Sequence, residues 1–88
     1  MKLRDDYLMT PVGEGFVLVP VGKASEHFHG VARLNATAAF IVRQLDRDTT
    51  PDRIVDALLE EYDVDRAQAQ AHVDALLNKL RQIGALEE

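Results

Sequence analysis

The spacing of apolar residues changes near position 35. Before it, Tyr7-Leu-Met-Thr-Pro-Val12 and Phe16-Val-Leu-Val-Pro-Val21 are two β-branched and aromatic runs separated by Gly13-Glu14-Gly15. That is the pattern of two short strands joined by a Gly-rich turn, over about residues 6–12 and 16–21. Pro11 and Pro20 have no N–H to give to a ladder, so each belongs at a strand end, a bulge or an edge. A polar stretch from Lys23 to His29 follows. Gly30-Val-Ala-Arg-Leu34 then reads as a third strand over about residues 30–34.

From Asn35 onward the period is helical. Asn35 is a good N-cap, and Ala38, Ala39, Ile41, Val42 and Leu45 supply the apolar stripe of a helix over about residues 36–45. Thr50-Pro51 is a second start, since Thr caps and Pro is tolerated at the first helical position. Ile54, Val55, Leu58, Leu59 and Tyr62 carry that helix over about residues 51–62. Asp65 caps a third helix over about residues 66–83, with Ala69, Val73, Leu76, Leu77, Leu80 and Ile83 on one face. Gly84 is placed to end it in a left-handed conformation, leaving Ala85–Glu88 as a short extended tail. The expected fold class is α+β: one domain over residues 1–88, a three-stranded antiparallel sheet followed by three helices, in a winged-helix-like arrangement.

A chain of 88 residues with 47% apolar and 28% charged positions has the make-up of an ordinary folded domain with one core. Zero cysteines exclude disulfides, thiolate metal sites and Cys nucleophiles, and fit a cytoplasmic setting. The first fifteen residues lack the apolar segment of a secretory signal. Apolar runs break within about six residues, against the ~20 needed to span a bilayer, so no membrane role is expected. Ten Lys plus Arg face fifteen Asp plus Glu, a net charge of −5, and the imbalance is local. Residues 1–34 carry four basic and four acidic side chains, whereas residues 46–65 carry eight acidic and only Arg47 and Arg53. A duplex would be repelled there, and the third helix places only Lys79 and Arg81 in its C-terminal half, too few for a nucleic-acid reader.

Enzyme chemistry finds little to work with. Glu26-His27-Phe28-His29 puts two imidazoles on one side of an extended segment, but no further ligand spacing completes a metal site. Glu60, Glu61, Asp63 and Asp65 read as a solvated helix end and a cap. No Gly-rich phosphate loop or Ser-His-Asp set is present, so neither a catalytic residue nor a cofactor is expected. An edge strand offers more, because its unpaired backbone groups can accept an extended peptide as an added strand. With Gly30, Val31, Ala32, Arg33 and Leu34 as that edge, the third helix is the natural groove wall. Gln70, Val73, Asp74, Leu77 and Arg81 are its expected contributions, Arg33 and Arg81 being suited to acidic groups on the peptide. Two other readings belong to different classes: a winged-helix nucleic-acid-binding or transcription-associated adaptor, and a module that homodimerises through the same edge.

Several segments occur together at fixed spacing: Leu34-Asn35-Ala-Thr37-Ala38-Ala-Phe40-Ile41, Leu45-Asp46, Thr50-Pro-Asp-Arg-Ile54-Val55, Leu58-Leu-Glu-Glu-Tyr62-Asp63, Val73 to Leu80, and Ile83-Gly84-Ala-Leu86. Together they resemble the PqqD family, small peptide-recognition domains of pathways that make and modify ribosomal peptides, among them pyrroloquinoline quinone (PQQ) biosynthesis. The resemblance covers about residues 30–88; Ala36 stands where an acidic residue is frequent and Arg47 where a Gly is common. It implies three antiparallel strands and three helices. It also implies a precursor leader peptide docked as a fourth strand between the third strand and third helix, and a modifying enzyme, often of the radical S-adenosylmethionine type, that receives the peptide. The family's members present peptides and are not themselves catalysts.

Overall fold

In the computed structural model, which describes residues 1–26 and 30–88, the chain runs through β1 (Lys2–Leu3), β2 (Tyr7–Val12), β3 (Gly15–Pro20), a single 3₁₀ segment (Gly22–Glu26), β4 (Ala32–Leu34), α1 (Ala36–Gln44), α2 (Pro51–Glu61), α3 (Arg66–Gln82) and β5 (Leu86–Glu87). β2, β3 and β4 form an antiparallel sheet in that order, with Tyr7 opposite Pro20, Met9 opposite Leu18, and Leu18 in turn opposite Ala32. The expected sheet and the three helices are all present, each helix ending one residue earlier than expected. β1 and β5 add a two-stranded ribbon with Leu3 opposite Leu86.

Each helix begins where its cap is. Asn35 Oδ1 accepts from the Ala38 amide at 2.8 Å, and Thr50 Oγ1 accepts from the Arg53 amide at 3.3 Å. Asp65 and Gln68 form a reciprocal capping box, the Gln68 amide donating to Asp65 Oδ1 at 2.7 Å and the Asp65 amide to Gln68 Oε1 at 3.4 Å. Gly84, at φ +74°, ends α3: its amide donates to the Arg81 carbonyl and the Ala85 amide to the Leu80 carbonyl, the paired bonds of a Schellman turn.

The two prolines fix the hydrogen-bond parity of the sheet. Proline cannot donate, so Tyr7–Pro20 and Pro11–Phe16 must be the non-bonded pairs of the β2–β3 ladder, and the bonded pairs are the alternate ones. The Val21 amide donating to the Asp6 carbonyl at 2.8 Å has the same parity. It follows that Phe16 and Leu18 turn their backbone groups toward β4 and bond Leu34 and Ala32, while Arg33 between them points its N–H and C=O outward. The next bonded pair would set residue 30 against Pro20, which has no N–H to share. β4 therefore begins at Ala32 rather than at Gly30 as expected from the sequence, and Val31 stands 51% exposed before it.

One face of the sheet packs on the helices. Leu18, Ala32 and Leu34 are buried together with Ile41, Val42 and Leu45 of the α1 region, Ile54, Val55 and Leu58 of α2, and Ala69, Val73, Leu76, Leu77 and Leu80 of α3. Tyr7, 4% exposed, locks the sheet to the end of α3 by donating its hydroxyl to the Ile83 carbonyl at 2.6 Å. Burial raises the phenol's pKa above its ordinary value. The N-terminal strand is tied in beside it, through the Leu3 amide to the Leu45 carbonyl and the Arg4 amide to the Ala85 carbonyl, both at 2.9 Å.

Candidate functional site

The sheet has two edges, and they are not equivalent. On β2 the outward backbone positions are Tyr7, Met9 and Pro11: the Tyr7 amide is already bonded to the Arg4 carbonyl and Pro11 has no N–H. Only Met9 is left to donate, so this edge is blunted against another strand. On β4 the Arg33 N–H and C=O both face outward, and among the described residues no backbone group pairs with them. Val31 continues the same parity.

Beside that edge lies a cleft of about 250 Å³ formed by β4, α1 and α3. Its floor is apolar, from Leu34, Ala38, Ile41 and Leu76, and its rim carries Arg33, His72 and Lys79. Leu34, Ile41 and Leu76 are at most 7% exposed, so the floor is the outer surface of the core itself. The volume falls below the ~300–1,000 Å³ usual for small-molecule and cofactor sites and suits side chains of an extended chain.

Of the expected β4 residues, the structure places Arg33 and Leu34 on the cleft, with Ala32 buried in the strand and Gly30 and Val31 exposed just before it. The expected helix residues fall elsewhere. Val73 and Leu77 are 0% and 1% exposed and belong to the core. Gln70 donates to Asp74 Oδ1 at 3.1 Å along the helix. Arg81 makes a forked contact with the Glu88 carboxylate at 3.1–3.2 Å, which raises its own pKa and lowers that of Glu88. None of these five lines the cleft; the α3 residues that do are His72, Ala75, Leu76 and Lys79. At 100° per residue, Gln70, Asp74 and Arg81 flank one side of the buried arc and His72, Ala75 and Lys79 the other. The wheel gives the arc; only the packed sheet shows which flank faces β4.

The electrostatics of the cleft differ from those of the chain. Although Asp and Glu outnumber Lys and Arg, fifteen to ten, no carboxylate is among its lining residues, while an Arg, a Lys and a His are. The Arg43 guanidinium stacks over the Phe16 ring at 5.0 Å on the neighbouring β3–α1 surface. Among the described residues no three His, Cys, Asp or Glu side chains gather as a metal site. The paired histidines considered above, His27 and His29, lie outside the described residues. Among the described residues no helix is long and apolar enough to cross a membrane.

Comparison with known proteins bears on the fold and the family. Two solved structures share the fold over nearly their whole length. One is TbiB1 in complex with the TbiA(beta) leader peptide: TM-score 0.77, 26% identity, 99% of this chain and 95% of that one. The other is a lasso peptide synthetase B1 complexed with the leader peptide: TM-score 0.75, 29% identity, 99% of this chain and 96% of that one. No curated protein sequence matches the chain. The profile of the family described as Coenzyme PQQ synthesis protein D (PqqD) matches residues 15–86, covering β3 to β5, and the chain belongs to that family.

Proposed function

We propose that this protein binds the leader segment of a ribosomal precursor peptide as a fourth strand on β4 and presents it to a modifying enzyme. The observation that carries the reading is the Arg33 backbone, unpartnered among the described residues on an edge directly beside an apolar cleft. Strand addition satisfies the N–H and C=O together, and alternate side chains of the added strand drop into the cleft for specificity. Both structural neighbours are leader-peptide complexes, which supports the same occupant here. The domain acts by holding its peptide and is not an enzyme. Its setting is cytoplasmic. The recipient is of the radical S-adenosylmethionine type on the family expectation, or of the lasso peptide synthetase kind on the likeness to the second neighbour. The reading frames beside the gene, a short precursor among them, decide between the two.

The test is a titration of ¹⁵N-labelled protein with the leader segment of that precursor. Amide shifts are expected at Val31–Leu34 and along His72–Lys79; shifts confined to α2 or to the β2 edge refute strand addition at β4. Retention on heparin that falls with salt would favour the nucleic-acid adaptor instead, and a mass that doubles with concentration would favour the homodimer.

A further inference from the structure

We infer that the cleft selects an extended peptide carrying a carboxylate near a bulky apolar side chain, the apolar group seated on the Leu34–Ile41–Leu76 floor and the carboxylate held on the α3 side by Lys79 with His72. The inference rests on the strand-addition reading and specifies what that site accepts.

Three observations lead to it. First, the floor is apolar: Leu34, Ile41 and Leu76 are already packed in the core, so an apolar side chain laid on them takes its own apolar surface out of water without needing a cavity to open. Second, the rim is cationic in an acidic chain. With fifteen carboxylates in the chain, the helix side of the lining carries His72 and Lys79 and, among the described residues, no Asp or Glu. Third, the α3 cation on the cleft side is uncommitted. Arg66 and Arg81 of the same helix each pair with a carboxylate of the chain, whereas among the described residues Lys79 does not. An unpaired cation on the rim of an apolar site is matched by an anion of the ligand. Between the buried Ala32 and Leu34, the Arg33 side chain takes the face of the sheet away from the helices, so Lys79, one helix turn beyond Ala75 on α3, and His72 are the cleft-side donors.

The arrangement also replaces the Arg33–Arg81 pair expected from the sequence. Arg81 is occupied by Glu88 at the far end of α3, and Lys79, with the His72 imidazole as an added donor, takes its place beside the cleft.

The test uses a displayed library of random 12-residue peptides selected on the immobilised protein. Bound peptides are expected to be enriched severalfold in Asp or Glu within two positions of an enriched large apolar residue. Lys79→Ala is expected to keep the apolar preference, lose the acidic one, and weaken a selected peptide by about twofold to fivefold, the scale of an exposed ion pair, whereas Arg33→Ala, on the other face of the sheet, is expected to leave the acidic preference in place. Lys79→Glu, at an exposed position that leaves the core alone, is expected to shift the preference toward Lys and Arg. Two failures are distinguishable. If selected peptides move the amides of Val31–Leu34 but show no acidic enrichment, or the same enrichment on Lys79→Glu, the charge inference is overturned and strand addition stands. If selected peptides leave those amides unmoved, strand addition is overturned and this inference with it.

Discussion

Strand addition at β4 predicts that one backbone proton matters, and that its counterpart on the opposite edge does not. The Arg33 amide points out of the sheet, so Arg33→Pro removes a donor the fold does not use, and Ala32 before it is already extended, as a residue preceding proline must be. The guanidinium is lost as well, so the reference is Arg33→Ala rather than the native protein. Relative to Arg33→Ala, the proline variant forfeits one main-chain hydrogen bond to the peptide, about 1 kcal/mol net, or about fivefold in affinity. The ring also stands where the incoming strand must approach, so fivefold is the least expected. The control is Met9→Pro, which removes the matching outward amide from β2. It trims a half-buried side chain and is expected to lower the unfolding temperature, but peptide affinity is expected to change by less than about twofold, since the proposed docking edge is β4. Fluorescence anisotropy with one labelled peptide from the selection measures all three variants, and circular dichroism verifies that each is folded at the assay temperature. Arg33→Pro binding within twofold of Arg33→Ala, or Met9→Pro binding worse than Arg33→Pro, would refute the reasoning.

The remaining predictions concern what holds the site in place. Tyr7→Phe deletes the 2.6 Å bond to the Ile83 carbonyl and is expected to cost about 1 kcal/mol, lowering the melting temperature by about 4–8 °C. The same tyrosine has a pKa raised above 10.0 by burial, so the unfolded phenol gives up its proton first as pH rises. Its contribution is complete below pH 10 and is lost as pH climbs toward the native value. Urea unfolding from pH 8 to 11 is expected to show the native protein losing more stability than Tyr7→Phe; equal losses would count against the burial. Leu18→Ala empties a 0%-exposed position at the centre of β3 and is expected to cost about 2–5 kcal/mol in denaturant unfolding, with less than about 1 kcal/mol contradicting the described core. Gly84→Ala meets nothing within 4 Å but must adopt φ +74°, a backbone cost of about 1–2 kcal/mol that the same denaturant titration reads.

Much of this architecture is legible in the sequence because its signals are local. Asn35, Thr50 and Asp65 each announce a helix by a side chain that caps it within three residues, and all three caps form. The Gly13-Glu14 turn lies between strands that pair from Val12 opposite Gly15 to Tyr7 opposite Pro20. What escaped the sequence depends on distant partners. The β1–β5 ribbon is two residues to a strand, too short for any periodicity, and it exists because α3 delivers Leu86 beside Leu3. The cleft escaped in part for a similar reason. Leu34 and Arg33 were identified from the edge alone, but the α3 contribution required knowing that Val73 and Leu77 would both be swallowed by the core and that His72 and Lys79 would flank it on the sheet side.

The two prolines join the local and the distant parts of that account. Read in the sequence, Pro11 and Pro20 mark only a small and irregular sheet. In the fold they set which backbone atoms are free. Pro11 denies β2 an outward donor where a second strand would bind, and Pro20 denies β3 the bond that would have extended its pairing with β4 past Ala32. The first leaves one usable edge rather than two. The second leaves Val31 outside the ladder, ahead of Arg33 on the outward parity. A domain this small has few means of directing a flexible peptide to one place in one register. On the strand-addition reading, silencing one edge and shortening the other's internal pairing would do so through two residues that do not line the cleft, which is why a search for ligand-touching side chains passes over them.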